Sequence, residues 1–190
     1  MSKHTVDVAD VVIVVIDAQE RLAAAMSRRD AVVSVISRLV RVAGELSVPV
    51  VYTEQYPEGL GHTVSELRDL LLAAVGPIEK LDFDCCVEPA FITALERTGR
   101  RQVVLLGMEA HICVTQTALH LLEDGYRVQV VADGVCSVRE YDHAIAIERL
   151  RIAGAEVTTS ESVVYEALGT AGTDTFRRIL AIVKEREIVE

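Results

Sequence analysis

The sequence predicts a three-layer, doubly wound α/β fold, and three observations carry that expectation. Short apolar runs rich in β-branched residues recur along the chain, and their apolarity is continuous. Continuous runs mark strands buried on both faces, as in a parallel sheet covered by helices, whereas one-sided strands alternate. Longer segments with a helical period lie between these runs. Strand and helix follow one another repeatedly, the order from which doubly wound sheets are built.

The first strand is expected over Val11–Ile16. A helix follows over Ser27–Ser47, where Val32, Val35, Ile36, Leu39, Val42, Ala43 and Leu46 recur every three or four residues. Further strands are expected over Val48–Thr53, Gln102–Gly107, Arg127–Ala132 and, more weakly, Ala155–Thr158. Thr63-Val64-Ser65-Glu66 reads as a capping box opening a helix that Gly76-Pro77 closes. The segment Ile78–Phe83 then reads as another strand and its exit. Helices are expected over Glu88–Thr98, Ile112–Asp124, Glu140–Ala153 and Thr173–Arg186, with Gly99, Gly125 and Gly154 as C-terminal stops. No linker, repeat or low-complexity tract divides residues 1–190, so a single domain is expected.

Half of the 190 residues are apolar, enough for a core without disulfide or metal staples. A net charge of −10 repels phosphate backbones and anionic lipid, which argues against nucleic acid or a membrane surface as partner. Cys85, Cys86, Cys113 and Cys136 form no CxxC pair and no Cys/His spacing typical of zinc. Met1 to Asp10 has no apolar h-region, and no apolar run approaches the length that spans a bilayer. A reduced, cytoplasmic protein is the expectation. The phosphate-cradling G-x-G-x-x-G and G-x-x-x-x-G-K-[ST] loops are absent, which removes the main support for dinucleotide or nucleoside-triphosphate binding.

In such folds ligands sit beyond the carboxyl ends of the strands, so the residues there are the candidates. Asp17 ends an apolar strand. A half-desolvated carboxylate at that place suits a general base, although an Asp there also serves as a helix N-cap or turn residue. Cys113 opens the helix after the strand Gln102–Gly107. A helix N-terminus favours a thiolate and offers N–H groups to an oxyanion, while a free Cys is equally at home as core packing. Lys80 lies between Ile78 and Leu81; it either stabilises negative charge near a thiol or snorkels to the surface. Helix terminus and lysine together predict a lowered Cys113 pKa. Cys85, Cys86 and Cys136 are assigned to packing.

Taken together, Val14-Val15-Ile16-Asp17-Ala18-Gln19, Glu79-Lys80 and Leu106-Gly107-Met108-Glu109-Ala110-His111-Ile112-Cys113-Val114 resemble the three signature blocks of isochorismatase-like cysteine hydrolases. Thr53-Glu54-Gln55-Tyr56-Pro57 and Gly125 through Asp133 resemble the family at matching places, so the similarity spans roughly residues 8–180. The resemblance implies a mostly parallel six-stranded sheet, a homo-oligomer and a small-molecule substrate. It also implies a catalytic set of Asp17, Lys80 and Cys113, with the backbone N–H groups of Glu109 and Cys113 as oxyanion hole. A non-proline cis peptide is implied between Met108 and Glu109, and a pocket lined by Gln19, Glu54, Tyr56, Met108 and His111.

Departures from the family narrow the chemistry. Nicotinamidase-like relatives bind metal through Asp-x-His and a second His after the second strand, whereas this chain has Glu54-Gln55-Tyr56 and then His62. Neither a catalytic metal nor any other cofactor is therefore expected. The Thr-Asp pair common before the family's nucleophile is replaced by Ala110-His111. Isochorismate-cleaving relatives protonate a vinyl ether and need no thiol, so Cys113 points to an amide, carbamoyl or related C–N bond. Vinyl-ether hydrolysis, a redox-active cysteine and an inactive interaction scaffold stay open as alternatives.

Overall fold

The computed structural model describes residues 4–185. The expectations that touch Met1–Lys3 and Arg186 lie outside them. In chain order the elements are β1 (Val11–Ile16), α1 (Glu20–Ala24), α2 (Arg29–Leu46), β2 (Val50–Gln55), α3 (Pro57–Leu60), α4 (Ser65–Arg68) and β3 (Val75–Lys80). There follow α5 (Pro89–Thr98), β4 (Gln102–Met108), α6 (Thr115–Glu123), β5 (Arg127–Cys136), α7 (Glu140–Ala153), β6 (Glu156–Thr158), α8 (Ser160–Leu168) and α9 (Asp174–Lys184).

The strands form one six-stranded sheet in the order β3-β2-β1-β4-β5-β6, and every pairing in it is parallel. The expected mostly parallel sheet is thus wholly parallel. Its order reverses at β1, which pairs with β2 on one side and β4 on the other. That reversal is where a doubly wound sheet opens its ligand crevice.

All six β1 residues are buried, and they alternate between two cores. Val11, Ile13 and Val15 pack with α2, α8 and α9; Val12, Val14 and Ile16 pack with α5, α6 and α7. Burying each such side chain stabilises the fold by about 1.5–3 kcal/mol before entropy is counted. Gly107 lets β4 pass close to the end of β1. Its φ is +133°, and a Cβ there would collide with the backbone of Ile16, directly before Asp17.

Three local expectations are overturned. Gly76-Pro77 does not close a helix; it lies inside β3, which begins at Val75 and ends at Lys80 rather than running over Ile78–Phe83. A proline is tolerated there because β3 is an edge strand. The capping box at Thr63 does not form, since the Thr63 hydroxyl donates to Glu54 Oε1 at 2.7 Å, and α4 is only four residues long. The first three residues of the helix expected from Ile112 belong instead to a π-helical turn over Ala110–Val114, and α6 begins at Thr115.

Candidate active site

Asp17 follows β1 with its backbone in the left-handed region, φ 51°. Asp lacks the β-branch that would make this conformation costly. The turn folds its carboxylate back over the sheet edge, where it is fully buried. Oδ1 accepts a hydrogen bond from Thr53 Oγ1 at 2.7 Å, and Oδ2 accepts from Lys80 Nζ at 2.8 Å.

Lys80 reaches this point from the end of β3, two strands away. It spans the gap because Gln55, registered opposite it on β2, accepts a second hydrogen bond at Oε1, 2.6 Å from Nζ. The Asp82 carbonyl lies 3.4 Å from the same nitrogen. Burial is the largest single influence and lowers the proton affinity of the ammonium, but the charge and hydrogen bond of Asp17 and the neighbouring Cys85 and Cys113 together outweigh it and hold the pKa above the ordinary lysine value.

Cys113 is the fourth residue of the π turn and is 4% exposed. π turns recur at functional sites, and the first N–H groups of a helical segment lack partners within it. The thiol faces Asp17. Burial, and then the Asp17 charge and a hydrogen bond to it, raise the Cys113 pKa, with Lys80 pulling the other way. The lowered pKa expected from helix terminus and lysine is therefore wrong in sign. Desolvation exceeds the pull of a cation already paired with Asp17, so the resting thiol is protonated at neutral pH.

The structure thus brings Asp17, Lys80 and Cys113 to one point on the carboxyl edge. The turn expected to carry the oxyanion hole differs in its backbone. Gly76–Pro77 carries the cis bond found among the described residues, and Met108–Glu109 is trans. The chain instead reverses through a left-handed Glu109, φ 59°, ψ 65°. Placing the bend in φ and ψ avoids the cost of a non-proline cis bond.

The expected pocket residues divide. Tyr56 is half exposed after β2, and its N–H donates to the Lys80 carbonyl at 2.9 Å, which places it at the rim. His111 is half-buried, with Nδ1 3.0 Å from Ser137 Oγ and 3.3 Å from Glu109 Oε2. The other three do not face the thiol. Met108 is fully buried in the α2-side core, opposite the core that holds Cys113. Gln19 uses its whole amide on backbone: Nε2 donates to the Gln55 and Gly61 carbonyls at 2.9 and 2.6 Å, and Oε1 accepts from Gln55 N–H at 2.7 Å. Glu54 points to the other face of β2, where it accepts from Thr63 N–H at 2.6 Å and pairs with His62 Nδ1 at 3.0 Å.

Thr53 and Gln55 belong to the site although the sequence reading gives neither a role, and Cys85, assigned there to packing, lies beside them. Thr53 and Gln55 are two apart on one strand and so share the Lys80 face, a signal the sequence did contain. Cys85 Sγ lies 4.0 Å from Thr53 Oγ1, and burial raises its pKa to about 12.

The Isochorismatase domain profile matches residues 11–162. Isochorismatase domain-containing protein 2 of Bos taurus is 41% identical over 155 residues, covering 81% of this chain and 74% of that protein. Among solved structures, the MAR1 ribonuclease from Caenorhabditis elegans superposes with a TM-score of 0.88 at 33% identity, covering 95% of this chain and 92% of that one. The nicotinamidase SaPncA of Staphylococcus aureus shares the fold, with a TM-score of 0.72 at 19% identity over 80% of this chain and 99% of that one.

Proposed function

The chain belongs to the isochorismatase family of hydrolases, and from that premise we propose that it is a thiol-dependent hydrolase of a small molecule, cleaving an amide, carbamoyl or related C–N bond. The observation that carries this reading is the buried Asp17 carboxylate held between Lys80 Nζ at 2.8 Å and the Cys113 thiol. A vinyl-ether hydrolase needs no such thiol.

Asp17 takes the Sγ proton as sulfur attacks the substrate carbonyl carbon, and the C=O electron pair moves onto oxygen. The N–H groups of Glu109 and Cys113 hold that oxyanion. Asp17 then passes the proton to the leaving nitrogen, the C–N bond breaks, and a thioester remains. Water attacks the thioester carbon and gives its proton to Asp17; the tetrahedral adduct collapses, the C–S bond breaks, and Asp17 returns the proton to sulfur. Lys80 stays protonated throughout and holds the carboxylate in place by donating to Asp17 Oδ2. A protonated resting thiol suits this scheme, because deprotonation accompanies attack.

Tyr56, Leu81 and Phe83, all exposed at the exits of β2 and β3, form an apolar rim for a small organic substrate. Four free cysteines suit a reducing, cytoplasmic setting. On α7, Tyr141 and Ile152 are 75% and 80% exposed, a face suited to a second copy in a homo-oligomer.

The test is a hydrolysis screen over small amides, ureido acids and vinyl ethers, with Cys113→Ala as control. Turnover of a C–N substrate that vanishes in the variant is expected; turnover confined to vinyl ethers and indifferent to Cys113→Ala overturns the reading. The Caenorhabditis relative is a ribonuclease. At a net charge of −10 this chain repels RNA, so an oligonucleotide is the arm expected to remain uncleaved.

A further inference from the structure

We propose that Asp84, Cys86 and His120 form a binding site for a zinc-class divalent cation that clamps the loop after β3 to α6. Among the described residues these three present a carboxylate oxygen, a thiol sulfur and an imidazole nitrogen within 4.8 Å of one another. The site shares no residue with the Asp17–Lys80–Cys113 set and stands independently of the hydrolase reading.

Its geometry is prepared. Asp84 Oδ1 accepts from the Cys86 N–H at 2.9 Å, which fixes the carboxylate and leaves Oδ2 turned to His120 Nδ1, 2.6 Å away. His120 Nε2 lies 3.8 Å from Asp124 Oδ2. With Nδ1 on the metal, Nε2–H faces Asp124 across a gap that a small turn of that carboxylate or one bridging water closes, which supplies the partner that orients metal-bound imidazoles. Cys86 is buried, with Sγ 3.9 Å from the Thr117 carbonyl, while Asp84 and His120 are half-buried, so a cation enters from solvent and a fourth position remains for water. Ligands around tetrahedral zinc stand roughly 3.5 Å apart, so the Asp84–His120 hydrogen bond opens by about 1 Å to admit the ion.

The donor set selects the ion. Thiolate and imidazole with one carboxylate suit zinc and exclude calcium or magnesium, which take oxygen ligands. On binding, Cys86 releases its thiol proton to solvent. The ligands escape any sequence spacing because they come from two distant segments. Both segments matter to the triad: Asp82, on the same loop as Asp84, offers its carbonyl to Lys80 Nζ, and α6 continues the turn that bears Cys113. Cys85 N–H already donates to Thr117 Oγ1 at 3.0 Å, so the cation would reinforce an existing contact.

The experiment is a cobalt(II) titration of protein freed of metal with a chelator, followed by zinc competition and thermal melting. A thiolate-to-cobalt charge-transfer band is expected in the wild type and in the control Cys136→Ser, bleached by zinc, and lost in Cys86→Ser. Zinc should raise the wild-type Tm, and His120→Ala should weaken zinc binding by about tenfold or more. No band in folded wild-type protein, or a band that survives Cys86→Ser, overturns the proposal and leaves the trio a hydrogen-bonded clasp. Should Cys86→Ser fail to fold, unchanged zinc affinity in His120→Ala overturns it equally.

Discussion

Asp17 and Glu54 end neighbouring strands, and both carboxylates are buried, yet their partners differ in kind. Asp17 is held by a hydroxyl, an ammonium and a thiol, groups that exchange or respond to a proton. Glu54 is held by the backbone and hydroxyl of Thr63, with His62 on its outer side. Strand alternation makes the difference. Thr53 and Gln55 turn to the Lys80 face and Glu54 to the other, so adjacent positions on one sheet edge serve a buried set of titratable groups and a structural brace.

Neutralising each carboxylate in turn separates the two roles most widely. Asp17→Asn should lower turnover by about 10²–10⁴-fold, the usual loss when a positioned base is removed, while Glu54→Gln should leave turnover of the folded protein within a few-fold. Steady-state kinetics on the best substrate of the screen decides; equal losses would make Glu54 part of the chemistry.

Next in size is an effect on stability. Lys80→Met leaves the Asp17 carboxylate buried without its cation and should cost about 3–5 kcal/mol in denaturant unfolding. Asp17→Asn strands Lys80 in turn, so the double variant should be less destabilised than the sum of the single ones. Additive losses would mean that the 2.8 Å pair is not energetically coupled.

The smallest effect is the pH dependence of the brace. Burial raises the Glu54 pKa, but hydrogen bonds from His62 and Thr63 outweigh it and leave the value lowered from 4.5. A lowered carboxylate contributes stability that is present above its unfolded pKa and lost as pH falls through the folded one. The His62 pKa is raised by Glu54, so its share is present below the unfolded value and fades as pH rises through the folded one. Glu54→Gln should therefore flatten the acid side of a Tm-versus-pH curve, and both Glu54→Gln and His62→Ala should remove the loss of Tm that the wild type shows as pH rises above 6.5.

How much of this was legible follows from the same physics. The continuous runs of β1 and β4 name their strands because burial on both faces admits only apolar residues, and the topology rule then places Asp17 and Cys113 together. β3 starts at Val75, ahead of its apolar run, because an edge strand tolerates the Gly76-Pro77 pair that elsewhere signals a helix stop. The capping box at Thr63 failed because a tertiary partner, Glu54, claimed the hydroxyl. Lys80 entered mainly through resemblance, since its reach depends on Gln55, a contact that no local pattern specifies. The sign of the Cys113 shift was missed because burial is a property of the folded environment, and the spacing of residues shows only the helix terminus.

If Cys113 forms the covalent intermediate with Asp17 as its base, acid-quenched single turnover on the best C–N substrate traps it, read by intact mass and peptide mapping. An acyl adduct on Cys113, absent in Cys113→Ser and formed far more slowly in Asp17→Asn, is the predicted result. Hydrolysis at full rate in Cys113→Ser, or an adduct on Cys85, Cys86 or Cys136 instead, would contradict it.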